Sequence, residues 1–567
     1  MNRKSKIKNQ KSKTYIIICL IFLACLTIIH VLRSYIHTPP PFIADMSCTQ
    51  WQRTKINDSL YIVGNNWLHR SHNGLWELYL EGNAFERGVA FGKLTQELLE
   101  YQEDAFVEMI NQLVPSQFYL RSLKYFVGWF NRKLHEHVPS EYLEEIYGTS
   151  LYASPRFDFI APPYLRQLNY HAAHDIGHAL QNMGMVGCTS FALWNGRTTD
   201  SSLMVGRNFD FFAGERFAEN KLVCFVRPDS GYRFVTVTWA CMSGVLSGMN
   251  EKGLTVTINA AKSTIPAGAA MPVSLLAREI LQYAATIDEA YAIAARRNIF
   301  VSESFLIASG ADNRAIDIEK TPDMQGLFAP DGHQIICTNH FQSETFAADA
   351  TNLENISESD SPYRLARVSE LLAARPVFDE HDIASVLRNT RGLGGKTIGY
   401  GNEKAINQLI AHHAVIFKPN EQKFWVSTHP YQIGELAVYN ADSIFALSST
   451  RLQRTMRLPE MTRSIPPDTL LFSEDYTRFL RYREMCDSLK ISIKNKKIND
   501  GLVNEQFVNR FVGSNPDIFQ VYKLLGDWYK SRKNYTNAVT YWEIALTKEI
   551  PRLAEREYLE KQILKYK

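Results

Sequence analysis

The stretch Gly187-Cys188-Thr189-Ser190-Phe191 sets a cysteine at the head of a short apolar run, directly after a glycine. Were the peptide bond before Cys188 cut, that residue would expose a free α-amine beside its own thiol. An α-amine titrates at about 7.7–8.0 in model compounds and serves as a general base near neutrality. A thiol with an adjacent base is a strong nucleophile, so one residue supplies two catalytic groups. The cut can be intramolecular: the thiol attacks the Gly187 carbonyl and water resolves the thioester. Gly187 suits it because a missing Cβ permits a strained scissile geometry. One hairpin later, Arg207 and Asp210 fall on the returning strand, close to the thiol. A guanidinium there favours thiolate, and a carboxylate can hold the α-amine by a charge-assisted hydrogen bond. Taken singly, a cysteine opening a strand is usually core, and Arg207 with Asp210 is an ordinary ion pair at a strand end.

The elements that must position these groups change character at Cys188. Upstream, Trp76–Gly82 reads as a strand that runs into a helix from Asn83, a plausible N-cap with Glu86 three residues on. Amphipathic stretches follow through Gln117–Trp129, Tyr142–Tyr147 and Asn169–Met183. Downstream the pattern is strand-like at Thr189–Trp194, Leu203–Val205, Leu222–Val226, Phe234–Trp239, Gly244–Met249 and Leu254–Asn259. Helical runs near Ser274–Ala285 and Ile287–Arg296 precede strands at Ser304–Ser309, Ala315–Glu319 and Gln334–Thr338. Strands, then helices, then strands predict an α+β body with layered sheets. From about Pro459 the chain is charged and helical. There Tyr522, Leu525, Gly526, Tyr529, Ala538, Trp542 and Ala545, closed by Pro551, fall at the spacings of one tetratricopeptide unit (518–551). A single repeat cannot bury its own faces, so it needs neighbouring helices or a partner; an ordinary helical hairpin reads equally well.

Four motifs stand in order: Cys188-Thr-Ser-Phe, Gly206-Arg-Asn-Phe-Asp210, Gly248-Met-Asn-Glu-Lys-Gly-Leu254 with Asn259, and Thr338-Asn339-His-Phe341. Together they resemble the acyl-coenzyme A:6-aminopenicillanic acid acyltransferase family. Choloylglycine hydrolases, penicillin V acylases and acid-ceramidase-like amidases share the pattern more distantly. Upstream, Glu81-Gly-Asn-Ala-Phe-Glu-Arg-Gly88 resembles the family's pro-region signature, and the likeness covers about Trp76 to Asn440. It implies the αββα four-layer sandwich of the N-terminal nucleophile hydrolases. It also implies roles: Cys188 as nucleophile with its amine as base, and Arg207 and Asp210 orienting thiol and amine. Asn259 would contribute to the oxyanion hole, Asn339 would hold the amine or the substrate carbonyl, and Arg364 would be a further active-site arginine, with Arg367 its rival. A strand-end or turn role is the lesser alternative for Asn259 and Asn339. In that scheme a linear amide passes its acyl group to Cys188 as a thioester; water then gives a hydrolase, and an amine acceptor, or acyl-CoA chemistry, a transferase. The alternative is an inactive scaffold that keeps the fold and uses its helical tail to recruit an envelope protein.

Other motifs carry less. His171, His174, Asp175 and His178 approach a zinc-helix pattern, but Asp175 is too short for the usual glutamate base and Gly177 weakens the helix. Gly392-Leu-Gly-Gly395 lacks the context of a phosphate loop. Cys188 with His340 could mimic a thiol-protease pair without the local signatures of one. No metal or cofactor is expected.

At 567 residues the chain exceeds one ordinary core. Its 62 basic and 59 acidic side chains nearly cancel, which excludes the general positive field of a nucleic-acid binder. Arg3, Lys4, Lys6, Lys8, Lys11 and Lys13 precede an apolar run from Tyr15 to Leu32, about the length of a bilayer-crossing helix. Basic residues before it favour a cytoplasmic N-terminus and an exported body, in a bacterial periplasm or envelope. Phe22-Leu-Ala-Cys25 resembles a lipoprotein box, but apolar residues continue past it. The cysteines show no paired or zinc-like spacing and read as buried hydrophobes apart from Cys188. The expected organisation is therefore an anchor and linker (1–44), a mostly helical pro-region (45–187), the αββα domain (188–458) and a helical C-terminal region (459–567).

Overall fold

The computed structural model describes residues 38–567 apart from 114–115, 117–123, 126, 180–186, 265–267, 448–457, 459–462 and 495–502, together with Leu23 and Thr27. Its upstream segment opens with strands: β1 (Arg53–Asn57), β2 (Leu60–Val63), β3 (Asn66–Arg70) and β4 (Trp76–Gly82) form an antiparallel meander. Only β4 was legible beforehand. The long helix α1 (Ala84–Leu113) follows, then α2 (Ser140–Ser150) and α3 (Pro163–Ala179).

Beyond Cys188 come β5 (Thr189–Leu193), β6 (Met204–Phe209), β7 (Leu222–Pro228), β8 (Phe234–Thr238), β9 (Ser247–Asn250) and β10 (Leu254–Ala260). Helices α4 (Val273–Tyr283) and α5 (Ile287–Arg296) precede β11 (Glu303–Ser309), β12 (Arg314–Lys320), β13 (Gln325–Phe328) and β14 (Gln334–Cys337). Two further helices, α6 (Ser361–Ala373) and α7 (Glu380–Leu387), lead to β15 (His413–Lys418), β16 (Lys423–Ser427) and β17 (Leu436–Asn440).

The larger sheet has the order β1-β2-β3-β4-β7-β8-β9-β10-β11-β12-β13, and the smaller β14-β5-β6-β15-β16-β17. A parallel pairing of β4 with β7 joins the upstream strands to the body. Three apolar clusters show how the layers stack. Trp67, Phe225, Val237, Val415 and Phe424 fill the space between the sheets. Phe91, Leu94 and Leu168 of α1 and α3 pack with Leu276 and Ile280 of α4 on the outer face of the large sheet. Val368 and Ile383 of α6 and α7 cover the small one. The expected helix–sheet–sheet–helix layering is present. Because β5 and β6 are buried on both faces, their residues are almost all apolar or functional, with none of the alternation a one-sided strand would show.

The pro-region signature has a packing explanation. Asn83 and Glu86 cap α1 reciprocally: the Glu86 amide donates to Asn83 Oδ1 and the Asn83 amide to Glu86 Oε2. Gly88 and Gly148 let α1 and α2 touch backbone to backbone; a Cβ at Gly88 would strike the Glu145 carbonyl. Arg87 Nε donates to the buried Glu145 carboxylate at 3.0 Å, and Arg278 of α4 grips the same carboxylate from the body side at 3.1 and 3.2 Å. Burial opposes ionisation of Glu145, but Arg278 and Arg87 together hold its carboxyl down at about 2.

The chain ends in helices α8 (Glu474–Lys494), α9 (Glu505–Ser514), α10 (Phe519–Ser531), α11 (Tyr535–Leu546) and α12 (Leu553–Tyr566). Gly526 abuts the Trp542 indole, whose N–H donates to Asp527 at 3.1 Å. Phe479, Phe511, Trp528 and Trp542 share a core with Leu409, Tyr431 and Ile433 of the body. The α10–α11 faces are thus covered within the chain, which removes the reason for expecting a protein partner there.

The expected membrane-anchored, exported placement needs correction. Among the described residues no helix is long and apolar enough to cross a membrane; the longest, α1, carries Glu86, Arg87, Lys93, Glu97, Glu100, Glu103, Asp104 and Glu108. Of the run Tyr15–Leu32, all but Leu23 and Thr27 lies outside the described residues. Cys48, Cys188, Cys224, Cys241, Cys337 and Cys486 are all buried free thiols.

Candidate active site

Cys188 lies at the start of β5, buried, where the smaller sheet faces the larger one. Register places Thr189 opposite Asn208 and Ser190 opposite Arg207, so the β5–β6 hairpin brings Arg207 beside the thiol as the spacing anticipated. Arg207 is fixed by three acceptors, the carbonyls of Leu246 and Ile258 and the Ser247 hydroxyl. With the guanidinium so held, its Nη2 stands 3.9 Å from Cys188 Sγ. Burial pushes the thiol up to about 11, and Arg207 pulls against that rise. In the uncut chain the thiol is therefore protonated at neutral pH.

Asp210 follows β6. Its backbone carbonyl accepts from the Gly187 amide at 3.0 Å. Among the described residues neither buried carboxyl oxygen has a hydrogen-bond partner, and burial raises the group to about 8 despite Arg364 and Arg207 nearby.

Arg364, on α6, reaches the site from the outer helical layer. It donates to the Cys188 carbonyl at 2.6 Å, to Thr189 Oγ1 at 2.9 Å and to Asn339 Oδ1 at 2.7 Å, while Asp360 holds its Nε at 2.9 Å. Arg367, the rival arginine, instead meets Asn389 and Glu370. Asn339 donates to the Ala260 carbonyl at 2.8 Å. Asn259 stands one residue pair away: its amide donates to the carbonyls of Cys337 and Thr338 at 3.1 and 3.2 Å, and its Oδ1 accepts from Ser190 at 2.9 Å. The two N–H groups that an oxyanion would need from Asn259 are both engaged on carbonyls that knit the two sheets. Cys188, Arg207, Asp210, Asn339 and Arg364 thus converge, and Asn259 supports them from behind.

Sequence reasoning missed one residue. Gln408 is buried on the loop before β15 and donates from Nε2 to the Gly187 carbonyl oxygen at 2.9 Å. A Cβ at Gly187 would lie 2.5 Å from that nitrogen. The glycine is thus required for the approach of Gln408, a reason distinct from the expected strain.

Beside this cluster lies an apolar cavity lined by Phe106, Tyr170, Phe211, Phe217, Trp239 and Met242 among others. Phe209 stacks on Phe211 with centroids 5.7 Å apart, and the Arg207 guanidinium sits 4.6 Å over Phe209, so the cavity begins one ring from the thiol's partner. Upstream helices α1 and α3 supply part of its wall.

The rejected motifs find ordinary uses. Asp175 accepts from the Val273 amide at the start of α4. His171 Nε2 accepts from the Ser243 amide, and burial lowers its pKa to about 4. His340 Nδ1 is engaged with Ser361 and Thr338 rather than with Cys188.

Two facing sheets between helical layers, with a cysteine opening a strand of the smaller one, make an α+β fold like that of the N-terminal nucleophile hydrolases. The family model described as acyl-coenzyme A:6-aminopenicillanic acid acyl-transferase matches residues 194–429, the family whose likeness the motifs anticipated. The match begins six residues after Cys188. An uncharacterized protein of Archaeoglobus fulgidus is 28% identical over 242 residues, 38% of each chain, so this chain spans little more than a third of that relative. The N-acylethanolamine-hydrolyzing acid amidase of Caenorhabditis elegans is 24% identical over 309 residues, covering 52% of this chain and 80% of its own. Among solved structures, a Caenorhabditis elegans ortholog of that amidase is 17% identical with a TM-score of 0.31, over 41% of this chain and 93% of its own. A mutant conjugated bile acid hydrolase from Clostridium perfringens is 14% identical with a TM-score of 0.31, over 45% and 93%.

Proposed function

We propose that this protein is an amide-acting enzyme of the cysteine N-terminal nucleophile type, which cuts itself between Gly187 and Cys188. The observation that carries the reading is the Asp210 carboxyl, buried beside Cys188 with no hydrogen-bond partner on either oxygen among the described residues. A buried carboxyl left unpaired is costly; the α-ammonium that scission creates on Cys188 is a natural partner for it. Arg207 then supports the thiolate, and Arg364 fixes the Cys188 backbone and Asn339. The free amine takes the thiol proton, sulfur attacks the substrate carbonyl, and the departing amine leaves behind an acyl-thioester. Water as acceptor makes the enzyme an amidase; a second amine makes it a transferase. The apolar cavity next to Arg207 supports an amide with an apolar acyl group. It also gives residues 45–187 a lasting task, because α1 and α3 wall the cavity and Glu145 ties α2 to Arg278. Residues 188–458 form the catalytic domain in this reading, and 459–567 a helical buttress with its tetratricopeptide-like unit at 518–551.

The test is intact mass and N-terminal sequencing of purified protein. Two fragments that stay together, the larger beginning Cys-Thr-Ser-Phe, are expected, with Cys188→Ala remaining whole. A wild-type chain that never splits yet hydrolyses amides would refute the mechanism.

A further inference from the structure

The geometry points to Gln408 as the oxyanion donor for the self-cut, an assignment that rests on the proposed scission at Gly187-Cys188. When Cys188 Sγ adds to the Gly187 carbonyl carbon, the C–S bond forms and negative charge collects on the Gly187 oxygen. Gln408 Nε2 already donates to that oxygen at 2.9 Å. The C–N bond then breaks, the thiol proton passes to the Cys188 nitrogen, and a thioester remains. Water gives its hydroxyl to the acyl carbon and a proton to sulfur, leaving a free thiol and the Gly187 carboxyl, whose proton passes to the new Cys188 α-amine.

Three features make Gln408 a built donor. First, the neighbouring atoms of the scissile peptide are fixed: the Gly187 amide donates to the Asp210 carbonyl, and the Cys188 carbonyl accepts from Arg364. The backbone on both sides of the scissile peptide is therefore anchored where its carbonyl meets Gln408. Second, the side chain is itself buried, at 2% exposure, so its hydrogen bond acts in a medium where water does not compete.

Third, the loop that presents it is rigid. Leu409 adopts φ +55°, a conformation an L side chain holds only under tertiary constraint, and its amide donates to Asn407 Oδ1. Asn407 is fixed in turn to the backbone of Asn389 and Arg388. The C-terminal helices clamp the same loop: Gly399 abuts Ile518, the Tyr400 amide donates to Asn515, and Asn402 donates to the Glu549 carbonyl. One task of the helical tail is thus to hold Gln408 against the scissile carbonyl.

The experiment follows full-length chains made in a cell-free pulse and chased on gels, for wild type, Gln408→Ala and Gln408→Glu. Removing one oxyanion donor typically costs about 10²–10³ in rate, so Gln408→Ala should split that much more slowly. Glutamate keeps the shape but donates only when protonated. The Gln408→Glu rate relative to wild type should therefore be low at pH 8 and rise as pH is lowered, a response that loosened packing alone would not give. Mutant chains splitting at the wild-type rate, or a Gln408→Glu ratio flat with pH, would overturn the assignment while leaving the self-cut standing. Failure of the wild type itself to split would instead remove the reading on which the assignment rests.

Discussion

The unpaired Asp210 carboxyl allows a quantitative check on the uncut chain, held in that state by Cys188→Ala. Burial raises the group from 3.8 to about 8. Between those values the folded chain keeps a proton that the unfolded chain has released, so unfolding releases a proton and stability falls as pH rises. Each unit costs about 1.4 kcal/mol, or about 5 kcal/mol in total by pH 8. The penalty is absent below pH 4, where both states are protonated. Asp210→Asn preserves the shape and removes the titration. Thermal or urea melts of Cys188→Ala with and without Asp210→Asn should therefore coincide near pH 4 and diverge steadily to pH 8, the asparagine chain being the more stable by several kcal/mol. All other groups are common to both chains and cancel in the difference. Parallel curves across the range would mean that Asp210 is ionised in the uncut chain, and the argument that it awaits a cation would fail.

Other perturbations discriminate roles. Asn259→Ala removes the amide donor to the Cys337 and Thr338 carbonyls and the acceptor of the Ser190 hydroxyl, at about 1–3 kcal/mol per group left unsatisfied; lowered melting temperature should be its main effect, seen by calorimetry. Arg364→Lys keeps the charge but cannot reach Cys188, Thr189, Asn339 and Asp360 at once. Losing even one charge-assisted hydrogen bond of about 1.5–3 kcal/mol should slow both the self-cut and amide turnover by at least about tenfold, measured by gel and by product release. Glu145→Ala leaves Arg278 buried without the carboxylate it grips and Arg87 with only the exposed Asp229, where breaking a buried pair costs about 3–5 kcal/mol. After the cut it should loosen the small fragment, detectable by size-exclusion chromatography. In the parent, the Glu145 contribution is present above about pH 4.5 and lost as pH falls toward 2, where its carboxyl finally protonates.

Much of the catalytic layout was readable without coordinates because it is local. Cys188, Arg207 and Asp210 share one hairpin, and a period-two register carries Arg207 to the thiol. The capping pair Asn83–Glu86 was equally legible, since it lies within four residues. Strands β1–β3 were not, because their mixed burial gives weak alternation. Helices α6 and α7 do carry start signals, Pro362 in the first turn of one and the Asp379–Asp382 capping box of the other. Asn339 and Arg364 entered only through the family likeness, being held to Cys188 from a separate strand end and the outer helical layer.

What the sequence by itself determined is the chemistry on offer: a thiol that scission would pair with its own amine, a cation and an acid one hairpin away, and the layered α+β body that presents them. Tertiary structure alone decided how those groups are tuned. Burial, a property of the surrounding sheets rather than of any residue, raises Cys188 and Asp210 above their ordinary values. It also decided that Asn259 spends its donors on carbonyls, and that Gln408, 221 residues from Gly187 along the chain, meets the Gly187 carbonyl oxygen. Contacts across that separation leave no periodicity in the sequence, because they are set by how the sheets and the tail close around the loop.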